Sequence, residues 1–204
     1  MASLDAIARQ LAEFSPQRAP DRHRRRRSAV AMLVRGERVR GPEILMIQRA
    51  ERRGDPWSGH MGFPGGRLDS SDPHSFGAAV RETREELGFD VASQARYLGR
   101  LSDLATHLRT GHGAMLVTPY VFSLSGDPSF TPNHEVAGIV WVPLAFLADP
   151  ANRQSMSWHY QDVPLTLPCY HYEQRRIWGL SLGMLDEFMA VSGIAHFESV
   201  RPPL

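Results

Sequence analysis

Apolar and polar positions alternate along the chain in a way that predicts a series of short helices and strands. Residues 4–14 carry apolar side chains at helical spacing and predict an amphipathic N-terminal helix, too short and too charged to span a membrane. A turn-rich connector at 15–20 follows, then four arginines at 24–27 leading directly into an apolar strand at 29–34. Residues 43–48 (EILMIQ) read as a second strand, paired with the first across the polar, glycine-containing loop 35–42. Further strands are predicted at 97–101, 116–124 and 139–142. The last is ended by Pro143 and followed by a short helix at 144–147. Residues 149–163, with Trp158, His159 and Tyr160, read as a polar excursion, and 177–191 as a closing helix that docks on a core although Asp186 and Glu187 interrupt it. The pattern shows no internal repeat, low-complexity tract or second domain.

Residues 65–89 (GGRLDSSDPHSFGAAVRETREELGF) are the most informative segment. Asp72 before Pro73 predicts a capped helix start and Gly88 a left-handed end, which gives a helix over 73–87. At about 100° per residue, Phe76, Ala79, Val80, Thr83 and Leu87 share the face that a core would take. Glu82, Glu85 and Glu86 form a stripe on one flank, where like charges three and four residues apart oppose each other by roughly 0.2–0.5 kcal/mol per pair. An acidic flank is most often a solvated face. Here it directly follows the turn Phe63-Pro64-Gly65-Gly66, which lets backbone groups approach a ligand closely. A hard divalent cation would relieve the repulsion, because Mg²⁺ takes carboxylate oxygens, water and substrate phosphates.

Composition narrows the class without deciding it. The 204 residues suffice for one well-filled core, and a net charge of +1 marks neither a nucleic-acid nor a membrane protein. The single cysteine, Cys169, forms no internal disulfide and reads as a small buried apolar residue. With no secretory signal in the sequence, this fits a reducing cytoplasm. The arginine run is either a solvated lead-in to the first strand or a positive rim that attracts a polyphosphate.

RETREELGF (Arg81 to Phe89) resembles the second half of the Nudix box, G-x5-E-x7-R-E-U-x-E-E-x-G-U. Thr83 stands at the aliphatic position after Arg-Glu. The spacing from Gly66 to Arg81 is one residue longer than the general box, so that the upstream acid is Asp72 and Pro73 stands where the box expects Glu. The longer loop, the preceding DPWSGHMGFPGGRLD and the late RRIWGL are similar to the coenzyme A pyrophosphatase branch. The chain departs from that branch's fuller signature at Ile47 and Gln48, ahead of Arg49. The resemblance implies an α/β/α sandwich with a mixed β-sheet, divided as an N-terminal helix and basic connector (1–27), a Nudix hydrolase domain (28–195) and a C-terminal tail (196–204).

The implied activity is Mg²⁺-dependent pyrophosphate hydrolysis, with Mn²⁺ as a substitute. Coenzyme A or an acyl derivative would give 3′,5′-ADP and 4′-phosphopantetheine. Glu82 and Glu86 are expected as principal metal ligands, Glu85 as ligand to a further metal or metal-bound water, and the Gly66 carbonyl as an extra ligand. Arg81 joins the catalytic set by pairing with Glu85, and not as an acid. Glu135 is the candidate base, or else a loop acid in an ion pair. Its neighbour His134 could titrate near neutrality but reads more simply as polar surface. Arg49 and Arg67, with Gly65 and Gly66, are expected on the substrate, while Arg52 and Arg53 offer further basic contacts. His107 and His112 lack zinc-site spacing and read as substrate-loop residues. ADP-ribose, a dinucleotide or a nucleoside triphosphate are alternative substrates, a non-catalytic nucleotide sensor is an alternative class, and a homodimer is allowed.

Overall fold

In the computed structural model, which describes residues 3–36, 41–54, 57–106, 115–160 and 163–197, an N-terminal helix α1 (Leu4–Glu13) and one turn of 3₁₀-helix lead into β1 (Arg26–Arg35). The apolar run in β1 is continuous because the strand lies mid-sheet and is covered on both faces. Val30, Met32 and Val34 point into one core cluster, which includes Ile7 and Leu11 of α1. Ala29, Ala31 and Leu33 point into the other. The strand extends further toward the N-terminus than the apolar pattern predicts and takes in Arg26 and Arg27.

β2 (Glu43–Arg49) pairs antiparallel with the end of β1, then continues against β3 (Met61–Gly62). β4 (Gly65–Arg67) returns antiparallel to the start of β1. Next come α2 (Ser75–Leu87), the short α3 (Val91–Gln94), β5 (Ala95–Arg100), β6 (Leu104–Ala105) and β7 (Met115–Leu124). β7 runs parallel to β1 along its whole length, and β8 (Val136–Pro143) pairs antiparallel with β2. The resulting eight-stranded mixed sheet packs Ala78, Ala79 and Leu87 of α2 on one face. On its other face lie α1 and the closing helix α5, introduced below. This is the α/β/α sandwich anticipated. His107 and His112 lie outside the described residues.

Three expectations need correction. α2 begins at Ser75, and its cap is His74, whose Nδ1 accepts from Gly77 N–H at 3.2 Å. Asp72 does not cap the helix because Arg81 engages both of its oxygens. Residues 149–163 are not simply a polar excursion. After α4 (Leu144–Ala148), β9 (Arg153–Tyr160), β10 (Val163–Tyr172) and β11 (Arg175–Trp178) form a second, antiparallel sheet. The closing helix α5 (Gly179–Val191) accordingly starts two residues later than predicted. β10 turns into β11 through Glu173 and Gln174, at φ 46° and 63°, conformations that longer side chains rarely adopt and that glycine or asparagine usually signals.

Arg153 of β9 ties this second sheet to α5. Its guanidinium makes a bidentate pair with Asp186, at 2.8 and 2.9 Å, and also donates to the Tyr170 hydroxyl, which caps the Leu147 carbonyl. Asp186 therefore does not weaken the apolar helix, because its charge is neutralised inside the interface. Among the described residues no helix is long and apolar enough to cross a membrane. Removing one member of a largely buried ion pair strands the other. Asp186→Ala should lower unfolding free energy by about 3 kcal/mol in urea titration, and replacing both partners together (Arg153→Met with Asp186→Leu) should recover most of the loss. Equal losses in the single and double variants would show that the pair itself is not the tie.

Candidate active site

The site forms where α2 passes over β4. Gly65 has φ 151°, and a Cβ on it would overlap the backbone of Ala29 and Val30. Its absence brings the Gly65 N–H to Glu86 Oε2 at 2.8 Å. At Gly66 the space a Cβ would fill is occupied by the Glu82 carboxylate. The two glycines are thus the floor on which two carboxylates, one helical turn apart, are seated. Ser28 Oγ donates to the Gly66 carbonyl and pins that floor to β1. Gly66 itself lies opposite Ala29 in the β1–β4 ladder.

The three glutamates of the stripe are not equivalent. Glu86 is only 2% exposed and belongs to the buried part of α2, with Thr83, whose hydroxyl is satisfied by the Ala79 carbonyl at 2.7 Å. Its carboxyl is pushed up to about 7, mainly by burial; the Gly65 N–H and Arg49 oppose the rise, while Glu82 and Glu135 add to it. Glu82 is also raised by burial, against the pull of Arg81. Glu85 is mostly exposed and turned to Arg81 at 3.1 Å. Among the described residues no group of three His, Cys, Asp or Glu side chains is placed to hold a metal ion together.

Arg81 does more than pair with Glu85. It reaches Asp72 (3.0 Å), Glu82 (3.0 Å), Glu85 (3.1 Å) and the Arg67 carbonyl (3.0 Å). Its own proton is held more firmly than usual, chiefly by Asp72, and Arg81 in turn lowers the Asp72 carboxyl. Asp72, expected both as the helix cap and as the upstream acid of the box, acts here by holding Arg81.

Glu135 is delivered by the segment that ends α2. Thr131 and Asn133 N–H groups donate to the Leu87 and Glu86 carbonyls, the Asn133 side chain accepts from Glu135 N–H, and the Glu135 carbonyl accepts from Ala50 N–H. Its carboxylate is close enough to raise both Glu82 and Glu86 and meets Arg52 at 3.5 Å. His134 is 4.0 Å from it and mostly exposed. Arg49 sits where its charge acts on Glu86. Arg67 is exposed, and its carbonyl rather than its guanidinium holds Arg81. The structure therefore seats Glu82 and Glu86 on Gly65 and Gly66, with Arg49 and Glu135 near enough for their charges to act on the pair, and turns Glu85 and the Arg67 side chain to the exposed side.

The NUDIX domain profile matches residues 25–160, two thirds of the chain. The chain belongs to the NUDIX domain family. This NUDIX chain is 38% identical over 112 residues to an uncharacterised protein of Schizosaccharomyces pombe, covering 53% of its own length and 34% of that relative. It is 29% identical over 141 residues to the uncharacterised Nudix hydrolase NudL of Yersinia pestis, covering 69% of itself and 67% of that protein. Its fold is similar to the Caenorhabditis elegans Ap4A hydrolase in a binary complex (TM-score 0.50, 20% identity, 60% of this chain and 82% of that one). It is also similar to a MutT/nudix family protein of Enterococcus faecalis (TM-score 0.50, 16% identity, 94% of this chain and 68% of that one).

For this NUDIX domain the seat of Glu86 has a measurable consequence. Its folded carboxyl, raised from 4.5 to about 7, binds its proton more tightly than the unfolded chain does. Stability should therefore fall as pH rises through that window and stay low above it. Glu86→Gln keeps an oxygen to accept from Gly65 but cannot ionise. In chelator, its unfolding free energy should match wild type near pH 5 and exceed it at pH 8 by up to about 3 kcal/mol. A difference between wild type and variant that does not change over that range would place Glu86 in water.

Proposed function

We propose that this chain is a Mg²⁺-dependent pyrophosphohydrolase of a nucleoside diphosphate conjugate, with coenzyme A or an acyl derivative as the substrate. The observation that carries the activity is the pair of desolvated carboxylates, Glu82 and Glu86, on the Gly65–Gly66 floor. Leaving two like charges in a dry seat costs stability and is worth the cost only where a cation takes them up. Two carboxylates, a backbone carbonyl and water are the donor set of a hard divalent ion, which binds proteins through one or two carboxylates plus substrate phosphate. The residues present fit such an ion, with Glu82, Glu86 and the Gly66 carbonyl as its holders. Bound there, Mg²⁺ or Mn²⁺ supplies neutralisation of the phosphate oxygens that otherwise repel a nucleophile.

The chain's own residues supply the rest. Glu135, whose charge acts on both members of the pair, takes the proton of the attacking water as the water oxygen bonds to phosphorus and the anhydride P–O bond breaks. Arg49 holds phosphate. Arg81 keeps Glu82 oriented by bonding it together with Asp72 and Glu85. The coenzyme A assignment rests on the longer loop at 65–72 and on RRIWGL, which forms β11 and the start of α5. The same chemistry serves ADP-ribose, a dinucleotide or a nucleoside triphosphate, and a nucleotide sensor would keep the fold without turnover. The buried, lone Cys169 is consistent with a cytoplasmic setting, and a homodimer is compatible with the exposed second sheet.

Hydrolysis with Mg²⁺ of coenzyme A, acetyl-coenzyme A, ADP-ribose, a dinucleotide and a nucleoside triphosphate, with products identified by mass, tests this reading. The expected result is 3′,5′-ADP and phosphopantetheine at the highest kcat/KM. A different preferred conjugate would discard coenzyme A and keep the chemistry; no turnover with metal bound would favour the sensor. Glu82→Gln should lower kcat on the order of a thousandfold with the fold intact. Glu135→Gln should also slow turnover at saturating metal, and an unchanged rate would return it to a loop acid.

A further inference from the structure

Outside the acidic site, the second sheet presents an apolar face that the proposed hydrolysis does not use. Its register places Trp178, Cys169, Leu167, Leu165, Met156 and Trp158 on the face opposite to Tyr170 and Ile177, which are packed into the core. Cys169 is buried beneath, but Trp158 is 41% exposed. Three aromatic rings run in a row here. His60 meets Trp178 edge to face at 5.2 Å, and Trp178 meets Trp158 at 4.6 Å with a tilt of 49°.

The row starts at the active site. His60 accepts the Arg49 N–H at its carbonyl, extending the β2–β3 ladder by one residue, so the two side chains project from the same face. Arg49 acts on Glu86. The same loop that carries His60 also reaches Glu135, through Ala50 N–H and through Arg52. From phosphate chemistry to the exposed indole there are thus one strand pairing and two ring-to-ring steps.

The geometry points to a stacking shelf for the nucleobase of the substrate, made by Trp158 and Trp178 with His60 as its link to the phosphate end. This rests on the reading of the site as one for a nucleoside diphosphate conjugate. A nucleobase fits because it is flat, presents a π-face to an indole and loses little freedom in stacking. Arg49 at the other end of the row takes the phosphate of the same nucleotide. An aliphatic chain would gain contact area from the leucines but nothing from the aromatic order. Trp178 lies beyond the residues matched by the family profile, as a substrate-specific wall would.

The test is calorimetric titration of the full chain in Mg²⁺ with AMP, which has a base and a phosphate but no anhydride to cut, and with ribose 5-phosphate. Trp158→Ala should weaken AMP on the order of tenfold or more and leave ribose 5-phosphate unchanged. Trp158→Phe, which keeps a ring, should bind AMP within about threefold of wild type. The shelf is overturned if AMP affinity survives Trp158→Ala, if both probes weaken alike, or if octanoate binding falls while AMP binding does not. It is equally overturned if the variant only turns a dimer into a monomer by light scattering. AMP binding that depends on Trp158 without turnover of any conjugate would keep the shelf and remove the hydrolase. Turnover with AMP binding indifferent to Trp158 would do the reverse.

Discussion

Two carboxylates held out of water against a glycine backbone are the constraint around which the rest of this chain is arranged. Moving an ionised carboxyl from water into a protein costs several kcal/mol even after relaxation, and the Gly65 N–H offsets part of that cost at Glu86. The surrounding structure supplies the remainder. A central strand buried on both faces fixes β4, Ser28 fixes Gly66, and the segment at 131–135 closes the end of α2. Arg81 removes part of the repulsion from the exposed side, and the Gly65 N–H with Arg49 opposes it at Glu86. The two-sided core is what allows the site to be this costly.

That division also explains which parts of the protein were readable in its sequence. Strands 29–34, 43–48, 116–124 and 139–142 are long apolar runs because both faces are covered, and the structure places strands at all four. The box helix ended at Gly88 as its residues dictate, in a left-handed conformation. Its start was misread because a good capping residue, Asp72, had a stronger partner in Arg81, a contact nine residues apart that local preference does not contain. The second sheet was missed for a related reason. Its alternation of polar residues with Met156 and Trp158 suits a half-buried strand as well as a polar loop, and its tight turn uses Glu173 and Gln174 in place of the usual signals.

The glutamate stripe shows the limit of periodicity most clearly. Wheel arithmetic places Glu82, Glu85 and Glu86 side by side and treats them as equals. Only the approach of β4 decides that Glu86 is buried, that Glu82 fills the place of a missing side chain on Gly66, and that Glu85 remains in solvent with Arg81. The spacing of the acids was visible, whereas their different electrostatic environments depend on a strand brought in by the sheet. Glu135 was locatable as an acid before a strand, but the hydrogen bonds that tie its segment to the end of α2 are not local and could not be read there.

Chemistry and recognition therefore sit on parts of the fold with different constraints. The carboxylate seat is bounded by backbone, since a side chain added at Gly65 or Gly66 would overlap Val30 or Glu82, and little there can vary without losing the seat. The second sheet has no such restriction. Its outer face meets the site through His60, and it is anchored from behind by Arg153 and Asp186. An exposed residue on that face such as Trp158 can change size or polarity without moving the anchor or the carboxylates. A fold built this way can hold one bond-breaking arrangement fixed while altering the group attached to the diphosphate. On the function proposed above, substrate choice falls to β9–β11 and the loop beside them, and the reaction to α2 and β4.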